Sequence, residues 1–180
     1  MKPRKILFTE AEIQEAIRRL GARITEDYRG KDLVVVAMLK GSVYLLADLT
    51  RNIDLPLQYD VIGIGKIGDV TGQTGVVRIT RDLELDIVGK DVLVIEEIVR
   101  TGLTTNYMVS HLLTRGPRDV KVLALVANRD QLLIKLPLEY VGLEIDYTRV
   151  VGYGMDYREH DRNLPYIAEL DKSRYETGTE

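Results

Sequence analysis

The chain has 180 residues, a formal net charge of −3, 45% hydrophobic and 29% charged residues, the balance of an ordinary globular domain with room for one core. With no cysteine it excludes a disulfide framework and a thiolate zinc site, and with two histidines it argues against a histidine metal centre. The slight acidity gives no whole-chain signal for nucleic acid, and the uncharged apolar runs are too short for a transmembrane helix.

In chain order, the basic start MKPRKILF has only Ile6 to Phe8 as an apolar run, which is no secretory segment, so the cytoplasm is the expected compartment. Residues 9–12 read as a capping box, T-x-x-E, that opens a helix. Ile13, Ile17, Leu20, Ile24 and Tyr28 follow at steps of three and four as one apolar stripe, and Gly30 is placed to close it. The β-branched run 33–39 fits a buried strand, 41–52 a helix and 57–64 a second strand. Residues 65–75, glycine-rich and without apolar periodicity, are expected to form a long mobile loop. A strand resumes at 75–82, paired with the one before. Residues 91–95 fit a buried strand, 104–115 a helix, 120–126 a strand, and 138–143 and 150–153 two more. The last ten residues, DKSRYETGTE, are expected to fray.

Apolar strands that alternate with helices imply an α/β domain, a mainly parallel sheet covered on both faces. No repeat or linker divides residues 1–180, so one domain is expected. Ligands of such sheets bind beyond the carboxyl ends of the strands. That directs attention to Leu39-Lys40-Gly41 and to the stretch from Glu96 to Thr105.

The turn RTGLTT stands between a strand and a helix N-terminus, where unpaired N–H groups and the helix dipole favour an anion. Thr101, Gly102, Thr104 and Thr105 suit a phosphate cradle, and equally suit any tight turn. Glu96 and Glu97 are either a pair for hydroxyls or, through water, Mg²⁺, or a solvated strand end. Adjacent strand residues face opposite ways, so both reach one ligand only if the chain is already turning there. Lys40-Gly41 is either an anion site or a helix start that turns on glycine.

Together these turns resemble the purine phosphoribosyltransferases, most of all the hypoxanthine-guanine type. The likeness rests on VVVAMLKGS, VLVIEEIVRTGLTT and VGLEI…VVGYGMDYREHDRNLPYI, with support from GVVRITRDLELDIVGKDVLV, and runs from about Thr9 to Leu170. It implies a type I phosphoribosyltransferase-like fold, a twisted, mainly parallel sheet with helices on both faces, a small hood and a mobile lid. It implies transfer of 5-phosphoribosyl from phosphoribosyl pyrophosphate to a purine, with release of pyrophosphate and with Mg²⁺ as cofactor. By position, Glu96 and Glu97 would hold the ribose hydroxyls and metal-bound water. Thr101, Gly102, Leu103, Thr104 and Thr105 would wrap the 5′-phosphate. Leu39, Lys40 and Gly41, with a non-proline cis peptide, would meet the pyrophosphate. Arg162 would pair with pyrophosphate and Asp156 would ligate Mg²⁺. A homodimer or homotetramer is implied too.

The departures from the family pattern gather around the base. Arg100 stands where an aspartate is usual, and a guanidinium cannot take a proton from a purine nitrogen. Asn128 stands for a lysine, and Arg149, beside Val150, for a stacking aromatic. In the lid, Lys66-Ile67 replaces Ser-Tyr, and Glu97 replaces aspartate. Leu103 falls where the family varies. Three roles follow for Arg100: donating N–H groups to a base, pairing with Glu96 or Glu97 and blocking ribose, or pointing idly to solvent. The corresponding functions are a transferase with altered base choice or weak activity, and a catalytically silent nucleotide sensor or regulator. An RNA-binding module would require Arg78, Arg81, Lys90, Arg115, Arg118 and Lys121 to share a face. His160 is read as a surface residue, His111 as structural and Tyr153 as packed below the site.

Overall fold

A computed structural model describes residues 5–67, 76–146 and 149–175. After β1 (Ile6–Phe8), helix α1 (Glu10–Asp27) starts at the capping box, with Thr9 N donating to the Glu12 carboxylate at 2.8 Å and Glu12 N donating back to Thr9 Oγ1. Ile13, Ile17, Leu20 and Ile24 are buried, as the stripe requires, and Tyr28 caps the helix. Gly30 takes the left-handed φ of +75° as the chain leaves it.

The chain continues through β2 (Leu33–Leu39), α2 (Val43–Thr50), β3 (Gln58–Ile67), β4 (Val76–Arg81), β5 (Asp91–Val99), α3 (Leu103–Leu113), β6 (Asp119–Ala127) and β7 (Leu138–Glu144). The six strands order as β4-β3-β2-β5-β6-β7, parallel except for β4 against β3. Alternation along the central strands divides the core. Val35, Ala37, Leu93 and Ile95 pack under α1 and α2, while Val34, Val36, Val92 and Val94 pack against Met108, Val109 and Leu112 of α3. A second sheet, antiparallel in the order β1-β9-β8, joins β1 to β8 (Val150–Val151) and β9 (Ile167–Glu169) and forms the hood. Strands of two or three residues are too short for an alternation pattern, so β1 and β9 escape the sequence reading.

Several expected boundaries move. The loop expected over 65–75 begins later, because Gly65, Lys66 and Ile67 pair with Arg78, Val77 and Val76. The glycines belong there for space: a Cβ on Gly63 or Gly65 would stand 2.7 Å from the Thr80 side chain. Residues 68–75, the rest of that loop, lie outside the described residues. The helix expected over 41–52 is the shorter α2, and the strand expected over 91–95 runs on to Val99. The strand expected over 150–153 stops at Val151, where Gly152 (φ +100°) and Tyr153 (φ +45°) turn the chain. Of the expected frayed end, Lys172–Tyr175 form a 3₁₀ turn, and 176–180 lie outside the described residues. Among the described residues no helix is long and apolar enough to cross a membrane.

Candidate active site

Strands β2 and β5 are parallel neighbours at the middle of the sheet, and the chain leaves them toward opposite edges, β2 toward β3 and β5 toward β6. Between their carboxyl ends a crevice opens, since the following connections diverge. The loop after β2 and the turn before α3 line it. In the first, the Leu39–Lys40 peptide is cis. In the second, Gly102 caps α3 with φ +80°, and a Cβ there would meet Leu136 at 2.7 Å. The backbone angle calls for glycine, and any side chain there would also have to push the Leu136 methyl aside.

A cavity of about 350 Å³ occupies the crevice, with Met38, Leu39, Ile64 and Ile98 as apolar wall and Glu96, Arg100, Thr101, Gly102, Thr104 and Thr105 as polar wall. The first N–H groups of α3 open toward it, with no intrahelical partner of their own. Thr105 is buried in the wall, Thr104 half-buried, and Thr101 and Leu103 are exposed at the rim.

The two glutamates do not act side by side. Strand β5 stays paired with β6 on both sides of them, Glu96 with Ala124 and Ile98 with Val126, so they face opposite ways. Glu96 is 2% exposed, lines the cavity, and has a buried carboxylate oxygen without a protein partner. Burial, and more weakly the charge of Glu97, push its pKa up to about 8, against the pull of the Thr105 hydroxyl. Glu97 turns toward the β2 loop, where Ser42 Oγ donates to it at 2.8 Å. Burial raises its pKa also, opposed by Ser42 and by Arg162. A Cβ on Gly41 would stand 2.0 Å from this carboxylate, so that glycine makes room for Glu97.

The hood closes over the same loop. Gly154 has φ +92°, and a Cβ there would stand 2.0 Å from the carbonyl oxygen of Gly41. Arg162 holds this turn: Nη1 donates to Gly154 O at 2.8 Å, and Nη2 lies 2.8 Å from Asp156 and 3.4 Å from Glu159. Its Nε is buried without a partner. Asp156 also accepts from Glu159 N at 2.8 Å. Glu159 reaches Lys40 Nζ at 2.9 Å, and so bridges the two cations. Ser42, Gly154 and Glu159 were absent from the sequence-derived site. Their only sequence signal was membership of the stretches that carry Lys40, Asp156 and Arg162.

Arg100 lines the cavity with its side chain exposed, and among the described residues it forms no ion pair or hydrogen bond. It is not locked onto Glu96 or Glu97. Burial and the nearby Arg149 lower its pKa, while Glu97 and Asp156 oppose that. Asn128 follows Ala127, which is in register with Val99, so Asn128 neighbours Arg100 across the β5–β6 pair. Its Oδ1 accepts from Asp130 N at 3.0 Å and caps a short 3₁₀ turn. Arg149 is exposed beside the hood, whereas the Val150 side chain is buried in the main core. Lys66 and Ile67 close β3.

Away from the cavity, His111 Nε2 lies 2.9 Å from Asp82 and ties α3 to the chain after β4, while His160 is exposed. Tyr153 is buried and donates to Asp48 of α2 at 2.6 Å. Of the six cations an RNA surface would need, Arg81, Arg115 and Arg118 are ion-paired with Glu84, Asp82 and Asp91, and Lys90 donates to Gln58.

Comparison with known proteins agrees with this geometry. The phosphoribosyl transferase domain family matches residues 5–158. A hypoxanthine-guanine phosphoribosyltransferase of Dictyostelium discoideum is 40% identical over 176 residues, 96% of this chain and 98% of that protein. One from Bacillus subtilis is 36% identical over 173 residues, 96% of each chain. The crystal structure of a hypoxanthine phosphoribosyltransferase from Staphylococcus aureus superposes with a TM-score of 0.88 at 40% identity, covering 95% of this chain and 93% of that one. By the family match and by identity over nearly its whole length, this chain belongs to the phosphoribosyltransferase family.

Proposed function

We propose that the protein transfers 5-phosphoribosyl from phosphoribosyl pyrophosphate to a purine base, releasing pyrophosphate, as a purine-salvage enzyme. One observation carries the reading: a single cavity joins the α3 N-terminus, the buried and half-unpartnered Glu96, and the carboxyl end of β2 at Met38 and Leu39. The N–H groups of α3 and the hydroxyls of Thr101, Thr104 and Thr105 suit a 5′-phosphate. Glu96 Oε1, dry and without a protein partner, suits a ribose hydroxyl as donor. Lys40 and Arg162, now bridged by Glu159, suit the pyrophosphate.

Bond breaking at C1′ leaves positive charge on the sugar and negative charge on pyrophosphate. Glu96, in the cavity wall, would serve the sugar's side of that separation, while Lys40 and Arg162, with Glu97 beside the same loop, would serve the leaving group's side. Among the described residues no three acids or histidines gather to hold a metal. That fits Mg²⁺, which keeps its waters and binds through one or two carboxylates and substrate phosphates, with Asp156 as the oxygen donor here. Bound so, Mg²⁺ would supply neutralisation of the departing charge.

We further infer a cytoplasmic homodimer or homotetramer. Val43 and Tyr44 on α2 and Tyr59 on β3 are 44%, 41% and 61% exposed, an apolar face that suits a second copy. The test of function is pyrophosphate release from phosphoribosyl pyrophosphate and Mg²⁺ with hypoxanthine, guanine, xanthine and adenine in separate reactions. Release with at least one base is expected. Background rates with all four would overturn the reading.

A further inference from the structure

We propose that Arg100 and Arg149 together choose the acceptor, and that the preferred acceptor is an anionic purine with oxygen on both carbons of its six-membered ring, not one that presents an amino group. This rests on the transferase reading above. The charges that act on the Arg100 guanidinium are Glu97, Arg149 and Asp156, which belong to β5, the hood margin and the hood turn. Arg100 lines the cavity next to the α3 turn, and the β5–β6 register sets it beside Asn128.

The acids nearby are already engaged. Glu97 accepts from Ser42 and Asp156 is held by Arg162. Glu96, with its pKa raised to about 8, is mostly uncharged at neutral pH. The Arg100 and Arg149 guanidiniums have no ion pair among the described residues. Each offers five N–H donors and no acceptor. Asn128, beside Arg100, already accepts from Asp130 N at its carbonyl oxygen, which leaves its amide N–H groups the more available to a ligand. A ligand oxygen or negative charge relieves the repulsion between the two arginines. A ligand amino group meets only donors from the Arg100 and Arg149 side chains.

The chemistry favours the same acceptor. No side chain at position 100 can take a proton, but an anionic purine needs none taken before it attacks. The electron pair of its ring nitrogen forms the bond to C1′, the C1′–O bond yields its pair to pyrophosphate, and the sum requires no proton transfer.

Xanthine is the probe, because it carries both oxygens and ionises near neutral pH. Guanine replaces one oxygen by an amino group, and hypoxanthine lacks the second substituent. We expect kcat/KM for xanthine to exceed that for hypoxanthine and guanine by about ten-fold or more, and that ratio to fall about ten-fold in Arg100→Gln and in Arg149→Gln. A preference for hypoxanthine or guanine, or a ratio unchanged in both variants, overturns the proposal. So does an Arg100→Gln effect confined to KM for phosphoribosyl pyrophosphate, which would assign the guanidinium to phosphate. If no base turns over, the transferase reading fails on its own, and calorimetry still decides the selection. Xanthosine monophosphate should bind more tightly than inosine monophosphate, with the difference lost in Arg149→Gln. Equal binding overturns it.

Discussion

The two ends of the candidate site, the cavity and the hood turn beside it, are built by different means. The phosphate end grows out of the central sheet: Glu96 continues the buried face of β5, Thr105 is 2% exposed, and Gly102 fits against Leu136. The hood end is made of turns, with Tyr153, Arg158, Glu159 and Asp161 all at positive φ, tied by the cations of Lys40 and Arg162. Core packing fixes the first, and exchangeable charge contacts hold much of the second. Of the unusual residues, Arg149 adjoins the hood, and Arg100 and Asn128 follow the carboxyl ends of β5 and β6, all three outside the buried core. Change in what is bound is easier to accommodate there, because no core residue must move with it.

The largest effect should come from the joint between the ends. Gly154 combines φ +92° with a contact that a Cβ would bring to 2.0 Å from Gly41 O, a backbone atom that cannot swing away. Gly154→Ala should lower stability by about 3 kcal/mol, read as a lower urea midpoint. It should also remove donor binding, because Gly41 carries the loop against Glu97. Unchanged binding would mean that the hood and the loop are not coupled.

Next in size is Glu96→Gln, which probes the packed end. A carboxyl whose pKa is raised from 4.5 to about 8 on folding keeps a proton that the unfolded chain has released. The native protein therefore loses stability as pH rises between those values, by up to about 1.4 kcal/mol per pH unit from this group. Glutamine cannot ionise. The variant should match the native protein near pH 4.5 and exceed its melting temperature increasingly up to about pH 8, with the gap levelling off above. Catalysis at neutral pH should fall about ten-fold, as expected for loss of one neutral hydrogen bond to substrate. A melting difference that does not change with pH would show that Glu96 is not protonated in the native state.

The same contrast explains what the sequence could reveal. Long periodic segments were legible: the stripe from Ile13 to Tyr28 and the capping box at Thr9 appear as read. So was the β5–α3 stretch, because its acid, turn and helix start are contiguous in the chain. The hood was legible only as a small region, since its strands are two or three residues long and pair across the whole chain. Gly65 was misleading, because glycine signals a loop until Thr80 is known to press on it. The freedom of Arg100 from its neighbouring acids depends on which way β5 points each side chain, and an unbroken strand answered what adjacency in sequence left open.

The smallest predicted effect concerns Glu159, and it separates stability from function most sharply. Its carboxylate accepts from Lys40 across 119 positions of sequence and also lies near Arg162, and these contacts, Lys40 first, hold its pKa below the usual range. Both members of the Lys40 pair are exposed, 69% and 65%, so the pair contributes little to folding. Glu159→Gln should leave the unfolding midpoint where it is. Yet the two cations it bridges are those that suit pyrophosphate, and the donor must displace the carboxylate to reach them. Removing its charge should lower KM for phosphoribosyl pyrophosphate a few-fold with kcat unchanged, and lower it less at high salt, where the pair is already screened. A higher KM would mean instead that Glu159 holds Lys40 and Arg162 in position for the donor, and the hood end would then be as preorganised as the phosphate end.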